Sequence, residues 1–502
     1  MLENDFPFQL TNLPTILKGV DFMKLKNLIE GLHILGISGK DDFEIKGITY
    51  DSRKVAQGSL FVCIEGFKQD GHEFAKMAIE AGAVAVVATK KLEDIKSATI
   101  IYVEDTREAM SFLADRFYAH PSKKLSLVGV TGTKGKTTTT YMIKSILENN
   151  ASKVGLIGTI ENCIGQNSIQ AQRTTPEAIE VQELFSKMVD EGVGSCVMEV
   201  SSHALELFRV KYSDFKVGVF TNLSREHLDF HENFENYLAA KLKLFNMCKV
   251  GVINIDNKYG QEVARKANCK VYTVGIENHA DIKAKNVKLF KESVEFDVKS
   301  SMYNGHISVN IPGIFSVYNA LCAIGASMML GVDFDNVAQG LSLTKVPGRA
   351  QVVDIDKYYT VMIDFAHSPD SLENILKTVK EFAVGRLVCV FGCGGDRDRT
   401  KRPVMGEISG NLADFTVITS DNPRSEVPNS IIADVEEGIK KINGVYVKIE
   451  DRREAIKYAM MNAKRDDVIV IAGKGHETYQ ELAKGKIDFD EQEIVKKIAR
   501  EI

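Results

Sequence analysis

Eight cysteines are scattered through the 502 residues, at 63, 163, 196, 248, 269, 322, 389 and 393, and none forms a C-x-x-C pair. That spacing argues against a structural zinc site, and reduced thiols fit an expected cytoplasmic location. No apolar run approaches the roughly 20 residues that span a bilayer. The N-terminus lacks the charged start, apolar core and small-residue cleavage site of a secretory signal. No dense Lys/Arg block occurs and the net charge is −5, which argues against a nucleic-acid surface. Internal repeats and low-complexity tracts are also missing. What remains is a globular composition, 44% hydrophobic and 26% charged, in a chain too long for one core. A chain of this length predicts about three domains.

The most informative segment that is present runs from Ser126 to Thr137. An apolar, β-favouring stretch leads into Gly132-Thr133-Lys134-Gly135-Lys136-Thr137, and Ile143, Ile146 and Leu147 follow at helical spacing. Strand, glycine loop, Lys-Thr and helix describe a phosphate cradle. The glycines admit anionic oxygens to backbone N–H groups, the helix start adds positive potential, and Lys136 reaches the terminal phosphates. Thr137 would place its hydroxyl on a phosphate-bound magnesium ion. Gly132 stands only three residues before Gly135, shorter than the standard G-x-x-x-x-G-K-[ST], which points away from ordinary motors and GTPases.

Changes of pattern divide the chain into an extension (1–22), a small α/β unit (23–120), a central unit (121–346) and a last α/β unit (347–502). The first unit predicts strands at Thr49–Ser52 and Ser59–Ile64 with a helix near Glu73–Ala81, and ends at the turn-like His120-Pro121. Strands at Lys124–Val130, Ser195–Val200, Val217–Thr221, Val250–Ile255 and Val271–Val274 alternate with helices, which predicts a parallel sheet with ligands at its C-terminal edge. After Val346-Pro347-Gly348 a second set follows at Thr360–Ile363, Arg386–Phe391, Phe415–Thr419 and Asp467–Ile471. Glu199 closes one strand beside the phosphate loop, where a carboxylate suits magnesium, a hard cation that takes oxygen ligands. His227 lies just past another strand, within Thr221–Asp229, and reads equally as ligand or hydrogen-bonded structural histidine. Lys241 and Lys243, two positions apart on a helix, read as solvated surface charges.

In order along the chain, Thr131–Thr138, Glu199-Val-Ser-Ser-His203, Asn222–His227, Asn254-Ile-Asp256, Gly313–Asn319 and Asp364-Phe-Ala-His-Ser-Pro-Asp370 resemble the motif series of the Mur ligase family, the ATP-dependent amide-forming enzymes of peptidoglycan precursor synthesis. The resemblance covers nearly everything from about residue 23 onward. It implies an α/β fold of three domains: a small α/β N-terminal domain that binds a UDP-linked substrate, a P-loop central parallel-sheet domain and a Rossmann-like C-terminal domain.

The resemblance also implies roles. ATP would be held by Gly132, Thr133, Lys134, Gly135, Lys136, Thr137, Thr138, Asn319, Arg349 and Asp364, and Mg2+ by Thr137, Glu199, His227 and Lys241 in its carbamylated form. Lys136, Lys241 and His227 are the implied catalytic set. Asp51-Ser52-Arg53 and Arg173-Thr174-Thr175-Pro176 are similar to segments that bind UDP-N-acetylmuramoyl-L-alanyl-D-glutamate, which assigns Ser52, Arg53, Thr174, Thr175, Ser201 and Arg209 to that substrate. Arg397, Asp421-Asn422-Pro423-Arg424, Gly473 and Glu477 resemble an amino-acid pocket.

Asp-Asn-Pro-Arg accompanies meso-diaminopimelate in the family, and the chemistry agrees. That amino acid is lysine with an extra distal carboxylate, which a guanidinium at Arg424 can bind through two parallel hydrogen bonds. Glu477 would be available to the distal ammonium. The alternatives are the same ligase using L-lysine, a folylpolyglutamate synthetase or other Mur ligase, an idle scaffold, and a nucleotide-hydrolysing switch. Leu207, Lys68-Gln69 and Phe365 depart from the family pattern. His203 and His367 are candidate bases for the incoming amine, and a monomer is expected.

Overall fold

The computed structural model describes residues 23–502 apart from 67, 68, 225 and 227, together with the backbone alone of 228 and 229. The expected extension at 1–22, His227 and Lys68 of the uridine loop therefore lie outside the described residues.

Three large sheets follow one another along the chain, with two further two-stranded sheets among the described residues. The first has five strands in the order Gly36–Ser38, Thr99–Tyr102, Ala83–Ala88, Ser59–Val62, Gly47–Thr49, parallel except at the Gly36–Ser38 edge. The expected strand Thr49–Ser52 is corrected here: it stops at Thr49. The Asp51 carboxylate accepts the Arg53 N–H at 3.1 Å and opens a 3-10 turn over Ser52–Lys54.

The central sheet has eleven strands, and seven of them form its parallel middle. Strand Ser126–Thr131 runs parallel between Ser195–Glu199 and Phe215–Phe220, and Cys248–Asn254 and Lys270–Gly275 continue the layer. The expected start at Lys124 moves to Ser126, because Pro121–Lys124 is a 3-10 turn.

The expectation of a wholly parallel sheet is also corrected, since both edges are antiparallel. Hairpin Glu161–Ile164 with Asn167–Gln170 closes one side, and Ile282–Leu289, Val294–Lys299 and Asn304–Val309 form a meander on the other. Connections this short cannot carry the crossover that parallel strands need. In Val294–Lys299 the apolar Val294, Phe296 and Val298 are buried while the charged residues between them point outward, the alternation of a one-sided sheet.

The last sheet has six strands in the order Gln351–Val353, Thr360–Asp364, Val468–Ala472, Leu387–Phe391, Phe415–Ile418, Tyr446–Lys448. Its inner strands Val-Ile-Val-Ile-Ala and Leu-Val-Cys-Val-Phe are buried at every position, as parallel strands covered on both faces must be. A separate hairpin, Tyr479–Leu482 with Gly485–Asp488, follows it.

One apolar cluster extends from Val128 through Val317 to Ala472, so the central and last sheets share a core. The first sheet's core reaches Ala178 and Ile179 of the central helix Ala178–Asp190. Helix Ile314–Met329 is apolar around most of its circumference and packs against helix Lys136–Asn149. That placement brings Asn319 to the glycine loop. All eight cysteines are free thiols. Among the described residues no helix is long and apolar enough to cross a membrane.

Candidate functional site

The glycine loop is shaped by its neighbours as much as by its own sequence. Thr133 N–H donates to the Asn222 carbonyl at 2.9 Å and Lys134 N–H to Asn222 Oδ1 at 3.0 Å, which ties the loop to the end of the adjacent strand. Gly132 has φ +151°, and a Cβ there would lie 1.9 Å from Thr221 Oγ1. Gly135 has φ +84°, and a Cβ there would lie 2.3 Å from Asn319 Oδ1. Both positions demand glycine on conformational and steric grounds. The first helical bond runs from Thr139 N to Gly135 O at 2.9 Å, so the N–H groups of Lys136, Thr137 and Thr138 precede the ladder as donors for an anion.

Lys136 and Lys241 converge on a single acceptor. Lys136 Nζ donates to Gly132 O at 2.9 Å and to Thr133 O at 3.0 Å, and Lys241 Nζ donates to the same Gly132 O at 2.9 Å. Lys241 is 1% exposed, with its ammonium 4.6 Å above the Tyr237 ring. Burial, then the Lys136 charge, pushes the Lys241 ammonium far below its ordinary range, and Glu226 only partly opposes this. Lys136 is also held below its ordinary value by burial, with Glu199 and Glu226 acting in the opposite direction. The surface reading of Lys241 is thus overturned. Its neighbour Lys243 is the surface lysine, paired to Glu206 at 2.7 Å.

Glu199 ends its strand 1% exposed, in a ring of donors. Thr137 Oγ1 stands 3.0 Å from both carboxylate oxygens, Thr159 N–H donates at 2.8 Å and Thr159 Oγ1 at 3.0 Å. The sequence reading missed Thr159. Its only signal there is a place just past the strand Val154–Ile157 that pairs with Ser195–Glu199.

Hydroxyl and carboxylate oxygens at the mouth of a phosphate loop match a hard divalent cation, so Thr137 and Glu199 fit magnesium. The donor set also reaches Arg349, whose guanidinium lies 3.4 Å from Thr137 Oγ1 and 4.5 Å over the Phe365 ring. Asp364, beside it, accepts Ala350 N–H at 2.7 Å, and burial raises its carboxyl above the usual range while Arg349 pulls it down. Lys134 Nζ bridges Glu226 at 2.9 Å and Ser368 at 3.1 Å, which links the loop to the last sheet.

Thr174, Thr175, Ser201 and Arg209 gather next to this centre. Thr174 Oγ1 lies 3.0 Å from Thr159 Oγ1, and Thr175 Oγ1 donates to Glu199 O at 2.8 Å while accepting Ser201 N–H at 3.1 Å. The Ser201 hydroxyl caps the helix Ser202–Glu206 through Ala204 N–H at 3.1 Å. Arg209 donates to Thr175 O at 3.0 Å and pairs with buried Glu177 at 2.8 Å. Arg107 of the first unit reaches the same carboxylate at 3.6 Å. Ser52 and Arg53 stand elsewhere. Arg53 is 84% exposed and forks onto its own neighbour Asp51 at 2.8 and 2.9 Å.

The amino-acid group assembles at the C-terminal ends of three adjacent strands, Val468–Ala472, Leu387–Phe391 and Phe415–Ile418. Fully buried Lys474 donates to Asn422 Oδ1 at 3.0 Å and to Glu477 Oε2 at 2.8 Å. The Asn422 oxygen also takes Glu481 N–H at 2.9 Å, so its Nδ2 faces Glu477 Oε2 at 2.9 Å. Asp421 is buried, and its Oδ2 has no hydrogen-bond partner among the described residues. Gly473 leaves it room, since a Cβ there would meet that oxygen at 2.5 Å.

Arg424 has φ +51° and donates NH1 to Gly395 O at 2.8 Å. The Pro423 carbonyl packs on Gly395, where a Cβ would lie 1.9 Å away. Arg397 is exposed and donates to Asp396 O at 3.1 Å. Buried Arg402 braces both loops, bonding Glu426 at 2.8 and 2.9 Å and Gly394 O at 3.3 Å. Ser425 Oγ donates to Asp396 Oδ1 at 2.6 Å and adds a second clasp. Arg402 and Glu481 were not legible as site residues, because their partners lie in other segments. An open cavity of about 890 Å³ between the hairpin and helix Glu491–Glu501 is lined by none of these residues.

Known proteins line up with this arrangement from end to end. Residues 44–118 match the profile described as Mur ligase family, catalytic domain; residues 130–327 match Mur ligase middle domain; and residues 348–475 match Mur ligase, glutamate ligase domain. The UDP-N-acetylmuramoyl-L-alanyl-D-glutamate--2,6-diaminopimelate ligase of Alkaliphilus metalliredigens is 52% identical over 484 residues, covering 95% of this chain and 98% of its own. A Clostridium acetobutylicum ligase of the same name, numbered 1, is 50% identical over 96% of this chain and 100% of its own. A solved ligase of that name superposes with a TM-score of 0.71 at 32% identity, over 96% of this chain and 99% of that one. With relatives of half its sequence matched across almost their whole length and three successive profiles filled, the chain belongs to the Mur ligase family.

Proposed function

We propose that this chain is an ATP-dependent ligase that joins meso-diaminopimelate to the D-glutamyl γ-carboxylate of UDP-N-acetylmuramoyl-L-alanyl-D-glutamate, in peptidoglycan precursor synthesis. The observation that carries the reading is the contact between two sheet units at the phosphate loop. A phosphate loop with Lys136, Thr137 and Glu199 lies in one, an arginine-lined pocket in the other, and Lys134 bridges them through Ser368. Relatives at about half identity, named for this reaction, support the same reading.

A γ-carboxylate is a poor electrophile until its oxygen becomes a leaving group. Transfer of the terminal phosphoryl group of ATP to that oxygen breaks its bond to ADP, which leaves, and gives an acyl phosphate. The amine then attacks the carbonyl carbon, a tetrahedral intermediate forms and loses the amine's extra proton, and its collapse releases inorganic phosphate and leaves the amide. Transfer between two anions needs charge neutralisation and alignment more than covalent help. Lys136 supplies a partly buried cation at the loop, and Arg349 a second beside Thr137. Thr137 and Glu199 would hold magnesium, which when bound neutralises phosphate charge. Asn319, packed on Gly135, borders the base side of the nucleotide site. Thr174, Thr175, Ser201 and Arg209 orient the muramoyl-dipeptide, and Ser52 and Arg53 its uridine end.

The lowered pKa of Lys241 supports its carbamylation, because only a neutral amine adds carbon dioxide. The ammonium first gives up one proton to solvent; the neutral amine then forms an N–C bond to carbon dioxide and releases a second proton, leaving a carboxylate-like anion. His227 is the expected companion in metal binding. In the pocket, Arg424 and Arg397 face the distal carboxylate and Glu477 the distal ammonium, with Asp421, Asn422, Pro423 and Gly473 shaping the walls.

Domain boundaries near residues 120 and 346 complete the reading. They are supported by the turn Pro121–Lys124 ahead of the central sheet and by the start of the last sheet at Gln351. The test is phosphate release from ATP, which should require both UDP-muramoyl-dipeptide and an amino acid. Hydrolysis that needs neither would indicate a nucleotide switch instead.

A further inference from the structure

Arg424, the residue that would read the substrate's distal carboxylate, already holds one. Its Nε pairs with Glu481 Oε2 at 2.9 Å, and its backbone N–H donates to Glu481 O at 3.0 Å. Glu481 N–H in turn donates to Asn422 Oδ1 at 2.9 Å. A single residue of the hairpin strand Tyr479–Leu482 therefore grips both pocket residues by its backbone and caps the guanidinium with its side chain. The two side chains are 22% and 35% exposed, so the ion pair opens toward solvent without disturbing the core. No sequence motif singles out this glutamate.

We propose that Glu481 is a specificity-determining residue, an internal stand-in for the distal carboxylate that exchanges with it on Arg424 when the amino acid binds. The proposal rests on the reading of the pocket given above. Exchanging one carboxylate for another keeps a partly buried guanidinium paired at every stage, whereas leaving it bare is costly. The exchange has two consequences. Glu481 competes with the substrate, which weakens meso-diaminopimelate binding. It also remains on Arg424 when an amino acid lacking the distal carboxylate enters, which makes the pocket more tolerant of such a ligand. An arginine without its stand-in would set cation against the terminal ammonium of lysine.

Glu481→Gln keeps the side-chain length and every backbone bond and removes the competing charge. Its KM for meso-diaminopimelate should fall roughly two- to fivefold, the range set by a partly exposed ion pair. The preference for meso-diaminopimelate over L-lysine should rise by at least that factor, with the KM values for ATP and the muramoyl substrate unchanged. In an Arg424→Ala background the same substitution should have no effect, since the coupling runs through that pair.

A rise in KM for meso-diaminopimelate would overturn the proposal and make Glu481 a reader of substrate. Unchanged KM and selectivity in a fully folded variant would reduce it to a surface pair. Wild-type protein is assayed first: no activity with meso-diaminopimelate withdraws the pocket reading and this proposal with it, whereas normal wild-type activity with an unresponsive Glu481→Gln refutes the proposal alone.

Discussion

Replacing Glu199 by glutamine separates the site's chemistry from its architecture. The carboxylate accepts Thr159 N–H at 2.8 Å, Thr159 Oγ1 at 3.0 Å and a shared bond from Thr137 Oγ1 at 3.0 Å. A glutamine of the same length can aim its oxygen at Thr159 N–H and donate its amide hydrogens to the two hydroxyls, which accept as well as donate. No buried donor is orphaned, and only the charge is lost. Hydrogen bonds to charged groups contribute about 1.5–3 kcal/mol and neutral ones about 0.5–1.5. Relief of the buried charge's desolvation offsets much of that difference. Stability should therefore change by less than about 2 kcal/mol, and thermal melting by only a few degrees.

Activity should respond very differently, with phosphate release falling about 10²- to 10³-fold, as for loss of one preorganised electrostatic contact. Half-saturation by magnesium should move to higher concentration. Lys136 would also lose the Glu199 charge that holds its pKa up, so the alkaline limb of the rate profile should shift to lower pH. Near-normal turnover with unchanged magnesium dependence would refute the reasoning. So would melting that collapses along with activity. Glu199→Ala is the contrast, since it strands buried Thr137 Oγ1 and the two partly buried Thr159 donors and should lose both.

Lys241→Ala should lose at least about 10²-fold in turnover and recover part of it with short-chain carboxylic acids; full activity without rescue excludes the carbamate role. The lowered pKa of Lys241 means that the unfolded chain binds more protons between that lowered value and 10.5, so stability rises with pH across this window. Lys241→Met should flatten that slope in urea unfolding at several pH values, and an unaltered slope would contradict the burial argument. Hydrogen bonds from Arg402 pull the Glu426 carboxyl from 4.5 down to about 2. Its contribution is present above 4.5 and lost as pH falls toward 2, so Glu426→Gln should make the urea midpoint less sensitive to acid in that range. An unchanged acid response would show the clasp on the Arg424 loop to be idle.

The parts of this site that sequence reveals are those carried by one contiguous segment. The phosphate loop is strand, glycines, Lys-Thr and helix within a dozen residues, and Glu199 is legible because a strand visibly ends there. Lys241 and Lys243 show why the rest is hidden. They share a helical segment and a charge, yet one is buried beside Gly132 and the other sits at the surface on Glu206. Burial is decided by what packs on the helix, which spacing does not encode. The antiparallel meander of the central sheet escaped for another reason: its strands are charged and alternating, unlike the continuous apolar runs of the parallel middle. Glu481 depends on Arg424, and Arg402 on Glu426 and Asp434, pairs made by the tertiary fold across distant segments.

The central claim is that ATP is used here to attach an amino acid chosen by Arg424. The direct measurement is amino-acid dependence of phosphate release at saturating ATP and UDP-muramoyl-dipeptide, with meso-diaminopimelate against L-lysine, in wild type and Arg424→Ala. Saturation by meso-diaminopimelate at far lower concentration than L-lysine, with that advantage lost in the variant through a steep rise in KM, is the predicted result. Equal use of the two amino acids by wild type, or unchanged kinetics in Arg424→Ala, would contradict the account.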